Sequence, residues 1–272
     1  PLEGVTASSW LRRWLGPRAY SLAFAPLFRG KFGSYADEIA MPWFWARIHC
    51  RTFKLGYLQG SFDRLYRAMA DRVTELGGTI HFGQTVDRIS QDGTGSPVVV
   101  VANGTEHHFD RVITTTPQPE FARAIGAAPT DELWQNRYLG ATCFILEVDR
   151  SVIPHYWLNI DDPTFPFLAV VEHTKLVGPE HYGGKHVVYV GNYVPRDDWR
   201  YTEDPADILD KFIPYLQRVR PDFDKSWITN WQFSKAPYAQ PIVTPDYHQH
   251  IPPHTTPLPG VFLATMAQVY PQ

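Results

Sequence analysis

Cysteine is scarce: Cys50 and Cys143 are the two that the 272 residues contain. They are far apart and form no C-x-x-C pair, which excludes a disulfide framework and thiolate metal chemistry and makes a reducing, cytoplasmic compartment the expectation. Long apolar runs are also missing. None reaches the roughly 18 residues of a spanning helix, and the opening PLEGVTASSW lacks the charged and apolar regions of a secretory leader. A protein without a transmembrane segment is expected, which leaves room for peripheral membrane contact. Nor is there an excess of one charge. Lys and Arg number 25 against 28 Asp and Glu, a net charge of −3, so nucleic acid is not an expected partner.

Two catalytic signatures are absent as well. No G-x-S-x-G elbow and no recognisable Ser/His/Asp spacing occur, which removes support for a hydrolase. A G-x-G-x-x-G phosphate loop is missing too; DGTGSP (Asp92–Pro97) holds only a G-x-G, lies between two strands and ends in proline, so it reads as a turn. His248, His250 and His254 form H-x-H-x-x-x-H in a proline-rich loop with no carboxylate partner, so no metal is expected there.

What is present is globular. Hydrophobic residues make up 44% and charged residues 19%, enough apolar material to bury a core and too little charge for disorder. Nine Trp, 14 Tyr and 16 Phe supply large contact areas for cores and for flat or apolar ligands.

Along the chain, short helices broken by Gly16-Pro17 fill the first sixty residues. The segment RGKFGSYADEIAMPWFWARIHCR carries a candidate helix cap at Ser34 or Asp37 and an aromatic cluster at Trp43, Phe44 and Trp45. The spacing of Phe62, Leu65, Tyr66, Met69, Val73 and Leu76 predicts an amphipathic helix from Ser61 to about Leu76, capped by Ser61 and ended by Gly77. TIHFGQTVDRISQ then alternates as a strand, with Ile80, Phe82, Val86 and Ile89 available to a core. Asn103-Gly104 marks a tight hairpin. A strand at Arg111–Thr115 ends at Pro117, and a helical turn follows at Glu120–Ile125. From about Ala141, strands with polar turns predict an antiparallel sheet, interrupted by a helix that Asp204-Pro205 starts and Pro214 kinks or ends.

Arg29 and Lys31 in LFRGKFG are candidates to receive an anionic group, because Gly30 and Gly33 allow close backbone approach. The alternative is a solvated basic loop. The Trp43–Trp45 cluster reads as packing.

These pieces together resemble a known family. LGYLQGSFDRLYRAMADRVTELGGTIHFGQTVDRI, RVITTTP and PGVFLATMAQVYPQ are similar to segments of flavin-dependent amine oxidases, protoporphyrinogen oxidases and phytoene-desaturase-like enzymes. LFRGKFGSYADEIAMPWFWAR is similar to the matching region of bacterial NAD(P)/FAD-dependent oxidoreductases of the same group. The resemblance implies an α+β chain, α/β overall. Residues 1–76 and 126–257 would form a substrate-binding portion with an antiparallel or mixed sheet and helices. Residues 77–125 and 258–272 would form a partial, Rossmann-like FAD-binding portion.

Carried over by position, Val86 matches the V-x-x-I valine beside the adenosine half of FAD, the alternative being ordinary strand core. Thr115, Thr116 and Pro117 match the strand end near that half. Ala264, Thr265 and Met266 match the turn by the pyrophosphate and ring, and Trp231 falls in NWQFSKAPYAQPI, an element leading back to the flavin portion. Arg29, Lys31 and Trp231 are the expected substrate-binding residues; no side chain stands out as a catalytic acid or base.

The first strand, the glycine turn and the acidic residue after it are missing from the pattern. The expectation is a piece of a longer FAD-dependent oxidoreductase that is inactive alone, binds FAD weakly or not at all, and acts on a small apolar or amine substrate. A flavin-dependent isomerase or mutase, or a non-catalytic ligand-binding module, is the alternative.

Overall fold

A computed structural model describes residues 2–52, 54–93, 95–128 and 136–271; Thr94 of DGTGSP and the terminal Gln272 of the last quoted motif lie outside them. In chain order come α1 (Ala7–Leu15), α2 (Pro17–Ala23), α3 (Ala25–Phe32), α4 (Met41–His49) and α5 (Ser61–Glu75). Next are β1 (Val86–Gln91), β2 (Val98–Ala102), β3 (Thr105–Phe109), β4 (Val112–Thr114), α6 (Gln118–Ala124) and β5 (Tyr138–Val148). The remainder is β6 (Trp157–Asn159), β7 (Ala169–Glu172), β8 (His186–Val194), α7 (Trp199–Thr202), α8 (Pro205–Val219), β9 (Ile228–Pro241) and β10 (Val261–Leu263). The class is α+β, as expected. Contacts divide the chain into two units: Pro1–Cys50 with Arg137–Tyr247 and Pro271–Gln272, and Arg51–Asn136 with His248–Tyr270.

The first unit is built on a five-stranded sheet of order β6-β7-β8-β5-β9, antiparallel throughout. Strict alternation on β5 and β8 sends Phe144, Leu146, Val148, Val188 and Val190 to one face. There they meet Ile208, Leu209, Phe212 and Leu216 of α8, all nearly inaccessible. Each such side chain contributes about 1.5–3 kcal/mol on burial, so this helix–sheet layer is the principal core of the unit. Asp204 caps α8 by accepting from the Ala206 amide at 2.8 Å, with Pro205 in the first turn. Of the two outcomes expected at Pro214, a kink or an end, the helix does not end there; α8 runs on to Val219. Phe212 and Leu216 anchor both sides of the proline in the core, and that burial outweighs one lost backbone hydrogen bond.

The amino-terminal helices belong to the same unit. Thr6 Oγ1 caps α1 through the Ser9 amide at 3.2 Å, and Gly16 (φ 86°) makes the turn into Pro17. α4 starts at Met41 on Pro42 without a side-chain cap, so neither Ser34 nor Asp37 serves it. Its first turn is held instead by the Ala40 and Met41 amides, which donate to Val243 O (2.7 Å) and Val5 O (2.8 Å).

In the second unit β1, β2 and β3 form an antiparallel sheet whose Asn103-Gly104 turn takes φ values of 47° and 77°, the left-handed pair the hairpin requires. A separate parallel pair, β4 and β10, aligns Val112, Ile113 and Thr114 with Val261, Phe262 and Leu263. Ile89, Val98, Phe121, Ala124, Val261 and Leu263 close one small core. The strand expected from Thr79 begins only at Val86: Phe82 is 82% exposed, so nothing among the described residues rewards extending it. α5 forms over almost the expected span, and Gly77 (φ 84°) follows it. Ser61 itself stands at φ 71° after Gly60 and its hydroxyl accepts from the Asp63 amide at 3.2 Å. The apolar stripe of α5, however, is exposed along its whole length, Phe62, Leu65, Tyr66, Met69, Val73 and Leu76 included.

Candidate functional site

Each unit holds expected site residues: the second brings two groups of them together, and the first holds Lys31. The two groups of the second unit meet where β4 and β10 end. Because the strands run parallel and in register, their carboxyl ends lie side by side, and the Ala264 amide donates to Thr114 O at 2.9 Å. Thr115-Thr116-Pro117 and Ala264-Thr265-Met266, far apart in the sequence, therefore leave one sheet edge together. Ligands of open α/β sheets bind at such carboxyl ends.

Thr114 and Thr116 share a hydroxyl–hydroxyl contact of 2.9 Å. Ala264 and Met266 are exposed, whereas Thr265 Oγ1 is buried and without a hydrogen-bond partner. The turn has the outline of a capping box whose glutamine half is closed: the Thr265 amide donates to Gln268 Oε1 at 2.7 Å. Gln268 Nε2 in turn donates to Pro252 O and Leu263 O, each at 3.1 Å. Gln268 thus fixes the exit of β10, and the spacing T-x-x-Q, Thr265 to Gln268, is a signal from which sequence reasoning could have found it. His254, weighed above as a metal ligand, has Nδ1 at 3.1 Å from Leu263 O. Val86 sits elsewhere in the same unit, opposite Ala102 on β1 and partly exposed; the small core takes Ile89 from that strand, not Val86.

In the first unit the place is the face of the five-stranded sheet turned away from α8. Lys31 is not on a loop: Arg29, Gly30 and Lys31 lie in α3, where Gly30 leaves room for Leu168, whose Cδ1 would stand 3.4 Å from an added Cβ. Arg29 is exposed. Lys31 Nζ stands 4.0 Å from the Tyr193 ring centre, 5.7 Å from Phe32 and 6.0 Å from Trp43. No carboxylate among the described residues pairs with it. Burial, with a lesser push from the Arg47 charge, holds its amine down to about 8. Trp231 pairs with Leu146 and meets the Phe144 ring at 5.7 Å. It therefore lies on the α8 side, the sheet face opposite Lys31.

Cross-strand register makes the floor beside Lys31 unusually small. Ala169, Gly191, Cys143 and Ser234 stand opposite one another across β7, β8, β5 and β9, and Tyr193, Ala141 and Ala236 form the next row. A Cβ on Gly191 would meet nothing nearer than Thr142 O at 3.5 Å. Burial pushes the Cys143 thiol up to about 11, so it stays protonated at neutral pH and is a floor atom, not a nucleophile.

Because the amine of Lys31 is held below its unfolded value, the unfolded chain binds more protons between pH 8 and about 10.5, and stability attributable to this group rises across that window. Lys31→Met is expected to stabilise the protein at pH 7 by on the order of 1 kcal/mol, after discounting for partial exposure. That advantage should vanish near pH 10.5. Denaturant midpoints of both proteins at the two pH values check this.

Comparison with known proteins follows the same division into strands and helices. An oxidoreductase from Methanosarcina mazei superposes with a TM-score of 0.73 at 18% identity over 97% of this chain and 63% of its own. A candidate protoporphyrinogen oxidase from an Exiguobacterium species gives 0.71 at 16% over 98% and 63%. A reduced UDP-galactopyranose mutase gives 0.65 at 14% over 92% and 58%. The chain thus spans under two thirds of the length of each. At these identities the likeness is one of fold. No curated protein matches the sequence. Residues 8–272 match the family of flavin containing amine oxidoreductases, and with that match running through both the sheet unit and the strand pair, the chain belongs to this family.

Proposed function

We propose that this chain is the substrate-binding part, with some of the cofactor-contacting strands, of an FAD-dependent oxidoreductase. The observation that carries the reading is the junction of β4 and β10. Two segments whose paired residues stand 149 apart in sequence, Val112 with Val261 for one, end on one parallel edge, beside an exposed Ala264 and a buried Thr265 hydroxyl that lacks a partner. A buried donor without a partner costs about 1–3 kcal/mol, which a ligand oxygen at this edge would offset. Thr115, Thr116, Ala264 and Thr265 fit a nucleotide there, and Met266, 69% exposed, offers apolar contact. When bound, flavin would supply the acceptor for a hydride equivalent leaving a C–H bond as the adjoining C–N or C–C single bond becomes double and its other atom gives up a proton. The residues of this chain orient substrate and exclude water.

That the chain is one part of a longer enzyme is supported by two uncovered apolar surfaces in the second unit. One is the stripe of α5; the other is Ile113 on β4, 70% exposed. In the parent protein a nucleotide-binding segment carrying the missing glycine loop covers them. FAD titrated into this chain alone, followed by quenching of flavin fluorescence, is expected to show no stoichiometric saturation, because the phosphate-cradling loop is not in the sequence. The parent protein with its flanking sequence is expected to purify with visible flavin absorbance. A colourless parent, unable to bind added FAD, would overturn the reading in favour of a binding module. Turnover by the parent without any electron acceptor would redirect it to a flavin-dependent isomerase or mutase.

A further inference from the structure

We propose that the sheet face beside Lys31 is a binding site for a planar aromatic carboxylate, with the ring system lying on the small-residue floor and the carboxylate received by Lys31. The inference rests on the reading that the sheet unit is the substrate-binding part, and it names the class of substrate that part takes.

Three observations carry it. Positive charge is in excess: Lys31 Nζ and the Arg47 guanidinium both approach the Trp43 ring, at 6.0 and 5.3 Å, and no acidic side chain among the described residues pairs with either. The indole Nε1–H of Trp43, buried, also meets no acceptor. Cation–π attraction is worth roughly 0.5–2 kcal/mol, and only Tyr193 is close enough to Nζ to supply much of it. Ring contact is thus a partial substitute for the anion that a half-buried ammonium calls for.

The floor supplies the second half of the recognition. From Tyr193 outward the floor positions are Ala141, Gly191 and Cys143, partly buried, and Ser234 and Ala236, exposed, none longer than two heavy atoms beyond the backbone. With strands about 4.8 Å apart, a row across three of them accommodates a two-ring system lying flat. An amine substrate, by contrast, would be repelled by Lys31 and Arg47, which sets this inference against the amine half of the apolar-or-amine expectation. A phosphate is also disfavoured: the site holds one ammonium and one exposed guanidinium, a match in charge for a single carboxylate.

The test uses the whole chain and three probes of one shape: 2-naphthoate, its methyl ester and 2-naphthylmethylamine, each titrated against tryptophan fluorescence and by calorimetry. Naphthoate is expected to bind at least tenfold more tightly than the ester and the amine, the discrimination of one charge-assisted contact. Lys31→Met is expected to abolish that preference while leaving the ester unchanged. Lys31→Arg should restore most of it, and Arg47→Gln should weaken naphthoate about threefold. Gly191→Val, which fills the floor, should weaken all three probes alike. Equal affinity for the three probes, no naphthoate binding, or a Lys31→Met protein that keeps the preference would overturn the proposal and assign Lys31 to packing alone. None of these readouts involves flavin. Failure here with a yellow parent protein leaves the oxidoreductase reading standing, and carboxylate binding with a colourless parent leaves this one standing.

Discussion

Replacing Glu172 with alanine is expected to lower the unfolding free energy by about 3–5 kcal/mol, the usual cost of stripping one partner from a buried ionic network. Glu172 is completely inaccessible. Its Oε2 accepts from the amides of Val152 (2.9 Å) and Ile153 (2.8 Å), while Oε1 faces His186 Nδ1 at 3.0 Å and Lys175 Nζ at 3.6 Å. One carboxylate thereby pins the turn after β5 to the strand pair β7–β8. Alanine leaves two amides buried and unpaired and two nitrogen-bearing side chains without their acceptor. Glu172→Gln keeps an oxygen for the amides and turns an NH₂ toward His186, so it should lose roughly half as much. Urea unfolding of the three proteins measures the order; a Gln variant weaker than the Ala variant would show that the charge, not the backbone anchoring, dominates.

Phe212→Ala is expected to cost a further large amount, about 3–5 kcal/mol, from lost transfer energy plus the cavity left behind. Phe212 is 1% exposed and meets the rings of Phe144, Phe167 and Trp199 at 5.6, 5.1 and 6.4 Å. It thus joins α8 to two parts of the sheet unit, and relaxation cannot close the void without moving both. The contrast is Phe62→Ala on α5. There the ring is 47% exposed, and the change should stay within roughly 0.5 kcal/mol. If, as proposed, a longer protein covers the α5 face, the same Phe62 change should be costly there. Comparing the two substitutions in the chain and in the parent therefore tests whether that face is an internal surface of a longer fold.

Legibility in the sequence followed the range of the interaction. Asn103-Gly104 and Asp204-Pro205 were readable because turn and cap chemistry is settled within a few residues. α5 was readable from its period, but period does not say what covers the stripe; the structure leaves it bare. An end to the helix at Pro214 did not follow, because the local penalty is outweighed by the tertiary anchoring on either side of it. The strand before Val86 was misread for the complementary reason, since alternation without a neighbouring strand earns no hydrogen bonds.

At the candidate sites the same boundary holds. The flavin-family segments were recognisable one by one, yet that Thr115–Pro117 and Ala264–Met266 share an edge depends on β4 and β10 pairing across the chain. Arg29, Lys31 and Trp231 were grouped by residue type. Tertiary structure separates them: Arg29 to solvent, Trp231 to the α8 face, and Lys31 alone over Tyr193.

Turn residues and periodicity by themselves determined helices followed by an antiparallel sheet, and the resemblance of successive segments implied the α+β flavin family, because each of these is carried by neighbours in sequence. Only the folded chain decided that Gly191, Cys143 and Ser234 form one floor and that a lysine above it lacks an anion. Register and desolvation are fixed by residues far apart in the sequence, and no local pattern encodes them.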